Sequence, residues 1–175
     1  MKESDVRRAI HRMLRYRYNL WPDHWPDIAG VKEAGRPDLV VMNPRGPGFY
    51  IEVKAIFLNR NTSFNFSSIE DSQRRWLTTW EEQRPNGSYL AIGTICRNRS
   101  IFIIPWLKWL AVEDMITPIQ RSLPYKVGPG YKKHMQDNGL DFRLISKWKC
   151  NQVSTNEWAL PKILENLMEV QCGAT

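Results

Sequence analysis

Two acids and an amine stand out in this chain: Asp38, at the end of Gly35-Arg36-Pro37-Asp38, and the pair in Glu52-Val53-Lys54. Side chains two apart in a β-strand leave the same face, so Glu52 and Lys54 point together while Phe49, Ile51, Val53 and Ala55 point into apolar surroundings. Asn43-Pro44-Arg45-Gly46-Pro47-Gly48 is a strong turn signal, and a hairpin closing across it sets Asp38 near Glu52 or Val53. Grouping three charges on a half-buried sheet costs several kcal/mol unless they are paired or bind a metal. Two carboxylates at that separation are hard oxygen ligands suited to Mg²⁺ or Mn²⁺. A lysine beside the ion orients a water and helps deprotonate it, the ion supplying most of the acidification. Those are the parts that phosphodiester hydrolysis requires.

The flanking sequence must hold these groups in place. Residues 3 to 20 read as a helix with Val6, Ile10, Met13 and Leu14 as its apolar stripe and Arg8, Arg12 and Arg15 elsewhere on its surface. The prolines of Trp21-Pro22-Asp23-His24-Trp25-Pro26-Asp27 end it in an irregular segment. Pro22-Asp23 and Pro26-Asp27 repeat Pro37-Asp38, yet no apolar strand follows them, so they read as turn and helix-end residues. Residues 38 to 42 and 49 to 55 form the hairpin. A helix capped by Ser67 or Ser68, with Ser67 and Glu70 at capping-box spacing, runs to about Glu82. Strands follow at 88 to 96 and 101 to 104, then a short helix from near Trp106 and a last helix over 158 to 170. Residues 117 to 150 yield no assignment. The order αββαββ predicts a single α/β domain with a central mixed sheet flanked by helices: a catalytic core over 1 to 105 and a C-terminal extension over 106 to 175.

Helix geometry adds two residues. At ~100° per residue, Glu3 falls within about 20° of Ile10 and Leu14, on the core side, with Asp5 roughly opposite. In the helix after the hairpin, Ile69, Gln73, Trp76 and Trp80 share one face, and an amide in that apolar stripe must find hydrogen-bond partners.

Pro37-Asp38 with Glu52-Val53-Lys54 resembles the PD-(D/E)xK nuclease superfamily. Many of its members carry a metal-site glutamate on the first helix, which Glu3 resembles. A glutamine like Gln73 often helps position the water or the phosphate. Thr62-Ser63-Phe64-Asn65-Phe66-Ser67-Ser68-Ile69-Glu70-Asp71-Ser72-Gln73 is similar to the stretch after the catalytic lysine in RecU-like Holliday-junction resolvases. The match over residues 35 to 95 covers about a third of the chain. Archaeal-type Holliday-junction resolvases and the small VRR-NUC nucleases share the Glu, Gly-x-Pro-Asp, Glu-x-Lys arrangement. The helix before the motif and the region after 105 show no similarity, and the long excursion within the RecU-like sheet has no counterpart.

The resemblance implies a restriction-endonuclease-like fold and a Mg²⁺-dependent DNA endonuclease, with Mn²⁺ able to substitute. Asp38 and Glu52 would hold the ion, the Val53 carbonyl and Glu3 completing the site, while Lys54 and Gln73 act on the water. It further implies a homodimer that nicks four-way junctions symmetrically, since two strands of like polarity need two equivalent sites. A nuclease of another target class and an inactive DNA-binding module are the rival expectations.

Composition agrees with a nucleic-acid partner without requiring it. The 175 residues carry a net charge of +7, and such a surplus favours polyanions through counterion release. Arg36, Arg74, Arg75, Lys126, Lys132 and Lys133 are the candidate DNA contacts, the 126 to 133 segment as a gripping loop. Hydrophobic residues at 42%, eight of them tryptophan, exclude a disordered chain. Cys96, Cys150 and Cys172 have no C-x-x-C spacing and frame neither a disulfide scaffold nor a zinc site. His11, His24 and His134 lack ligand spacing. With neither a membrane-span-length apolar run nor a signal core, the expected location is the cytoplasm of a prokaryotic or phage-infected cell.

Overall fold

The two-residue repeat of β-structure gives the strand Phe49–Phe57 two different faces, and the fold is built around it. The computed structural model describes residues 2–23, 36–57, 64, 66–95, 99–115, 140 and 142–170. Helix α1 (Glu3–Arg12) continues into a π-helical turn at Met13–Arg17. Then come β1 (Trp21–Asp23), β2 (Leu39–Met42), β3 (Phe49–Phe57), a 3₁₀ turn at Phe66–Ser68 and α2 (Asp71–Gln83). Strands β4 (Ser88–Ile95) and β5 (Ser100–Pro105) lead into α3 (Trp106–Asp114). The C-terminal part holds a 3₁₀ turn (Ser146–Trp148), β6 (Asn151–Ser154), β7 (Glu157–Ala159) and α4 (Lys162–Leu167).

The first five strands form one mixed sheet in the order β1-β2-β3-β4-β5. All neighbours are antiparallel except β3 and β4. That parallel pair needs a crossover, and α2 supplies it. The expected mixed sheet with flanking helices is therefore present.

The two faces of β3 are covered by different helices. Ile51 and Val53 are fully buried in the core that α1 joins through Val6, Ile10 and the following Leu14. On the other face Tyr50 lies against α2, its ring 4.7 Å from that of Trp80, which stacks on Trp76. Helix α2 is fastened in turn to α3. Arg74 gives two hydrogen bonds to the Glu113 carboxylate, at 2.6 and 2.8 Å, and Trp106 Nε1 donates to Thr78 Oγ1 at 2.9 Å. At the far end of α2 the buried Glu81 carboxylate accepts the Asn86 and Ser88 amides and fixes the entry to β4.

Several elements differ from the sequence reading. The first helix, expected over 3 to 20, is α-helical to Arg12 and π-helical over Met13–Arg17, and the chain leaves the helix by Asn19, which has a positive φ of 52°. Pro22-Asp23 lies on a strand, not a turn; β1 is an edge strand, where a missing N–H is tolerated. The N-cap of α2 is Glu70, whose partner is Gln73, so the capping box sits three residues later than Ser67–Glu70. The single helix expected over 158 to 170 is a strand followed by the short α4. Trp158 and Ala159 pair with β6 while Pro161 starts the helix. This region is tied back to the N-terminal turn by Tyr18, whose hydroxyl donates to Glu165 at 2.8 Å and accepts the Leu160 amide at 2.9 Å. Cys150, whose amide donates to the Ile101 carbonyl at 2.8 Å, covers part of the outer edge of β5. Most of the unassigned stretch 117 to 150 lies outside the described residues. Among the described residues no helix is long and apolar enough to cross a membrane.

Gly93 governs how closely α1 approaches the sheet. A Cβ there would stand 2.2 Å from Val6 Cγ2 and 2.7 Å from Cγ1. Val6 is fully buried and its Cβ would itself stand 3.0 Å from the added carbon, so rotating its side chain does not restore an ordinary contact. Gly93→Ala is expected to destabilise by about 1 to 3 kcal/mol, the cost of overpacking a core. Adding Val6→Ala should recover part of that loss, a coupling that a double-mutant cycle by denaturant unfolding measures. Strictly additive losses would show that the two positions are not in steric conflict.

Candidate active site

The hairpin register decides where the three charged groups stand. Leu39 pairs with Ile51 and Val41 with Phe49, and continuing that ladder by one residue sets Asp38 opposite Glu52. Lys54 follows on the same face of β3. Asp38 also ends the ladder chemically, its Oδ2 accepting the Val53 N–H at 2.9 Å where β2 has no further backbone to offer. A strand residue directs its N–H and C=O to the same side. The Val53 carbonyl therefore leaves β3 toward this same gap.

Glu52 is the centre of the arrangement. It is 1% exposed, and Oε1 accepts from Lys54 Nζ at 2.7 Å and from Gln73 Nε2 at 2.6 Å. Gln73 closes the triangle, its Oε1 accepting from Lys54 Nζ at 3.2 Å and from the Glu70 amide at 3.0 Å. The amide in the apolar stripe thus finds its partners in the two charged groups of β3 and the N-cap of its own helix. The second oxygen of Glu52 is buried with no hydrogen-bond partner among the described residues. Burial pushes the Glu52 carboxyl up to about 7, and the neighbouring Asp38 charge adds to this. The Lys54 charge and hydrogen bond oppose the rise, while Glu3 contributes slightly to it.

Arg7, on α1, meets the site from the other side, Nη1 standing 3.1 Å from Asp38 Oδ1. Glu3 is one turn earlier on the same helix. Its carboxyl is raised by partial burial and then by the Asp38 charge, with Lys54 and Arg7 working against both. Glu3 therefore shares the field of the site from its exposed rim. Among the described residues no three His, Cys, Asp or Glu side chains are grouped to hold an ion.

The Asp38 and Glu52 pair suits a hard divalent cation. Mg²⁺ is usually held by one or two carboxylates and completes its shell with water. Asp38, the bare Glu52 oxygen and the Val53 carbonyl meet that requirement, and the like charges of the two acids give an ion an electrostatic reason to bind.

The expected DNA contacts divide. Arg74 is committed to the fold, with its guanidinium on Glu113 and on the Ile69 and Phe66 carbonyls, so the phosphate contact expected of it is replaced by a structural one. Arg75 is exposed beside it on α2, and Arg36 is partly buried just before Asp38. Lys126, Lys132 and Lys133 lie outside the described residues, as do Thr62, Ser63 and Asn65 of the similarity stretch. Sequence reasoning missed Arg7. Its offset of about 40° from Glu3 was the available signal.

The chain matches no known family model and none of the curated proteins with which it was compared.

The raised Glu52 pKa has a definite consequence for stability without metal. Its ordinary value is 4.5 and its folded value about 7, so across that window the folded protein holds a proton that the unfolded chain has released. Stability contributed by this group is then lost as pH rises from about 4.5 to about 7. Glu52→Gln should flatten this fall, by an amount on the order of 1 to 3 kcal/mol. Chelator-containing denaturant titrations of both proteins across that range measure the difference. Identical pH profiles would refute the buried, raised carboxyl.

Proposed function

We propose that this protein is a magnesium-dependent DNA endonuclease with a restriction-endonuclease-like core. The observation that carries the reading is the buried Glu52 carboxylate, one oxygen held by Lys54 and Gln73 and the other bare, directly across the hairpin from Asp38. An unsatisfied buried carboxylate oxygen costs more than the ~1 to 3 kcal/mol of a neutral polar group, which favours a cation bound at that oxygen.

Asp38, Glu52 and the Val53 carbonyl would hold Mg²⁺, with Mn²⁺ as a substitute. When bound, the ion supplies Lewis acidity toward a phosphate oxygen and an attacking water. Lys54, held by the other Glu52 oxygen and by Gln73, would offer its remaining ammonium proton to the water or the phosphate. Gln73 fixes the direction of Lys54 through its side-chain oxygen. Arg7, beside Asp38, adds positive charge to the phosphate side. In the hydrolysis water adds to phosphorus, one P–O ester bond breaks, the water gives up a proton and the departing alkoxide takes one up.

Within this reading the favoured substrate is a four-way DNA junction, nicked by a homodimer in the course of recombination. The support for that choice is the similarity of residues 62 to 73 to the RecU-like stretch, a motif whose Gln73 sits in the site. Restriction, repair and VRR-NUC-type targets are the alternatives that a substrate panel separates.

The decisive experiment compares junction, flap, duplex and single-stranded DNA with and without Mg²⁺. Nicking should require Mg²⁺ and favour the junction. Asp38→Asn and Lys54→Ala should each reduce the rate by about 10²- to 10⁴-fold, assayed below each variant's melting temperature because Lys54→Ala also leaves the buried Glu52 charge unanswered. Undiminished cleavage in both variants would move the active site elsewhere. Equal cutting of junction and duplex would remove the junction assignment alone.

A further inference from the structure

Helix α1 presents a second face that the site does not use. Glu3 and Arg7 look toward Asp38, whereas Asp5, Arg8, Ala9 and Arg12 form a separate stripe that lines a cleft of about 380 Å³. The opposite wall is Arg99, just before β5, with Thr155 and Asn156 from the β6–β7 turn, and Trp158 is shared by both clefts of this surface. The second cleft, about 570 Å³, shares Arg99, Thr155 and Trp158 and continues past Ser100 to Lys149, Asn151 and Gln152. Neither cleft is lined by Asp38, Glu52, Lys54 or Gln73.

The charge in this double groove is one-sided. It holds four cations, Arg8, Arg12, Arg99 and Lys149, and a single carboxylate, Asp5, which Arg8 already pairs. Among the described residues Arg12, Arg99 and Lys149 make no ion pair. All three are exposed. Grouped like charges repel one another, and a polyanion laid along them relieves that repulsion while releasing its counterions. The other lining groups, Thr155, Asn156, Asn151, Gln152 and Ser100, are short polar side chains of the kind that contact phosphate and sugar. The aromatic present, Trp158, is 4% exposed and offers no ring for bases to stack on or for a peptide to anchor against.

We infer that this groove is a track for the DNA phosphate backbone, distinct from the candidate active site. It engages a segment of the substrate away from the scissile bond. The inference rests on the reading that the substrate is DNA. It assigns the grip to Arg12, Arg99 and Lys149 rather than to Arg74. Because α1 carries Arg7 on one side and the stripe of Arg8 and Arg12 on the other, one rigid element links the phosphate track to the hydrolytic centre.

The test measures binding of the full chain to duplex and four-way-junction DNA in chelator, across a salt series, so that no turnover is needed. The variant Arg12→Gln/Arg99→Gln/Lys149→Gln should lower the salt slope by about 2 to 3 and weaken binding about 10- to 100-fold near physiological salt. The control Arg45→Gln/Lys108→Gln/Lys162→Gln removes the same charge outside both clefts and should change the slope by less than 1, on the order of a single phosphate contact. Melting curves for both variants confirm folding. An unchanged slope in the groove variant, an equal loss in the control, or no DNA binding by the parent chain would each overturn the inference. Absence of Mg²⁺-dependent nicking would overturn the hydrolase reading and leave this measurement intact, so the two fail separately.

Discussion

Most of what distinguishes this molecule follows from enclosing one carboxylate between a sheet and a helix. Glu52 sits at 1% exposure with its charge answered on one oxygen only. Desolvating a carboxylate is costly, and Lys54 and Gln73 offset that cost without removing it, as the raised pKa of the group records. The arrangement survives because the surrounding structure over-determines it. Apolar residues of β3 anchor one face, tryptophans of α2 cover the other, and α2 is itself fastened to α3 through Arg74 and Glu113. A local instability held in place by a stable frame is the usual condition of a reactive site.

The same frame explains why so few residues suffice. Asp38 serves twice, closing the β2–β3 ladder through the Val53 amide and presenting its other oxygen to Arg7. Gln73 also serves twice, as the reciprocal partner of the N-cap Glu70 and as the bridge between Glu52 and Lys54. A residue shared between capping and the site makes the start of α2 and the geometry of the carboxylate inseparable. Helix α1 has an analogous double role. Its close seat over Gly93 sets the height at which Arg7 reaches Asp38, and its outer stripe lines the basic groove.

The C-terminal residues join this economy from a distance. Tyr18 receives the Leu160 amide and holds Glu165, while Cys150 takes up a backbone group at the edge of β5. Residues 142–170 thereby bring Lys149, Thr155 and Trp158 beside α1 and complete a surface that the first hundred residues could not form alone.

Local periodicity determined a good share of this in advance. The two-residue repeat of β3 placed Glu52 and Lys54 on one face, the turn at 43 to 48 brought Asp38 across from them, and the helical repeat put Gln73 on the inward side of α2. Each of those relations spans a short stretch, within which backbone geometry leaves little freedom. Other features had no such local signature. The pairing of Arg7 with Asp38, the capture of Arg74 by Glu113 and the bare oxygen of Glu52 arise between residues far apart in the chain. So does the parallel pairing of β3 with β4. Which cation reaches which carboxylate, and which oxygen is left over, depends on how helices seat on a sheet. That is settled by side-chain volume across the whole core, of which the closeness of Gly93 to Val6 is the clearest instance.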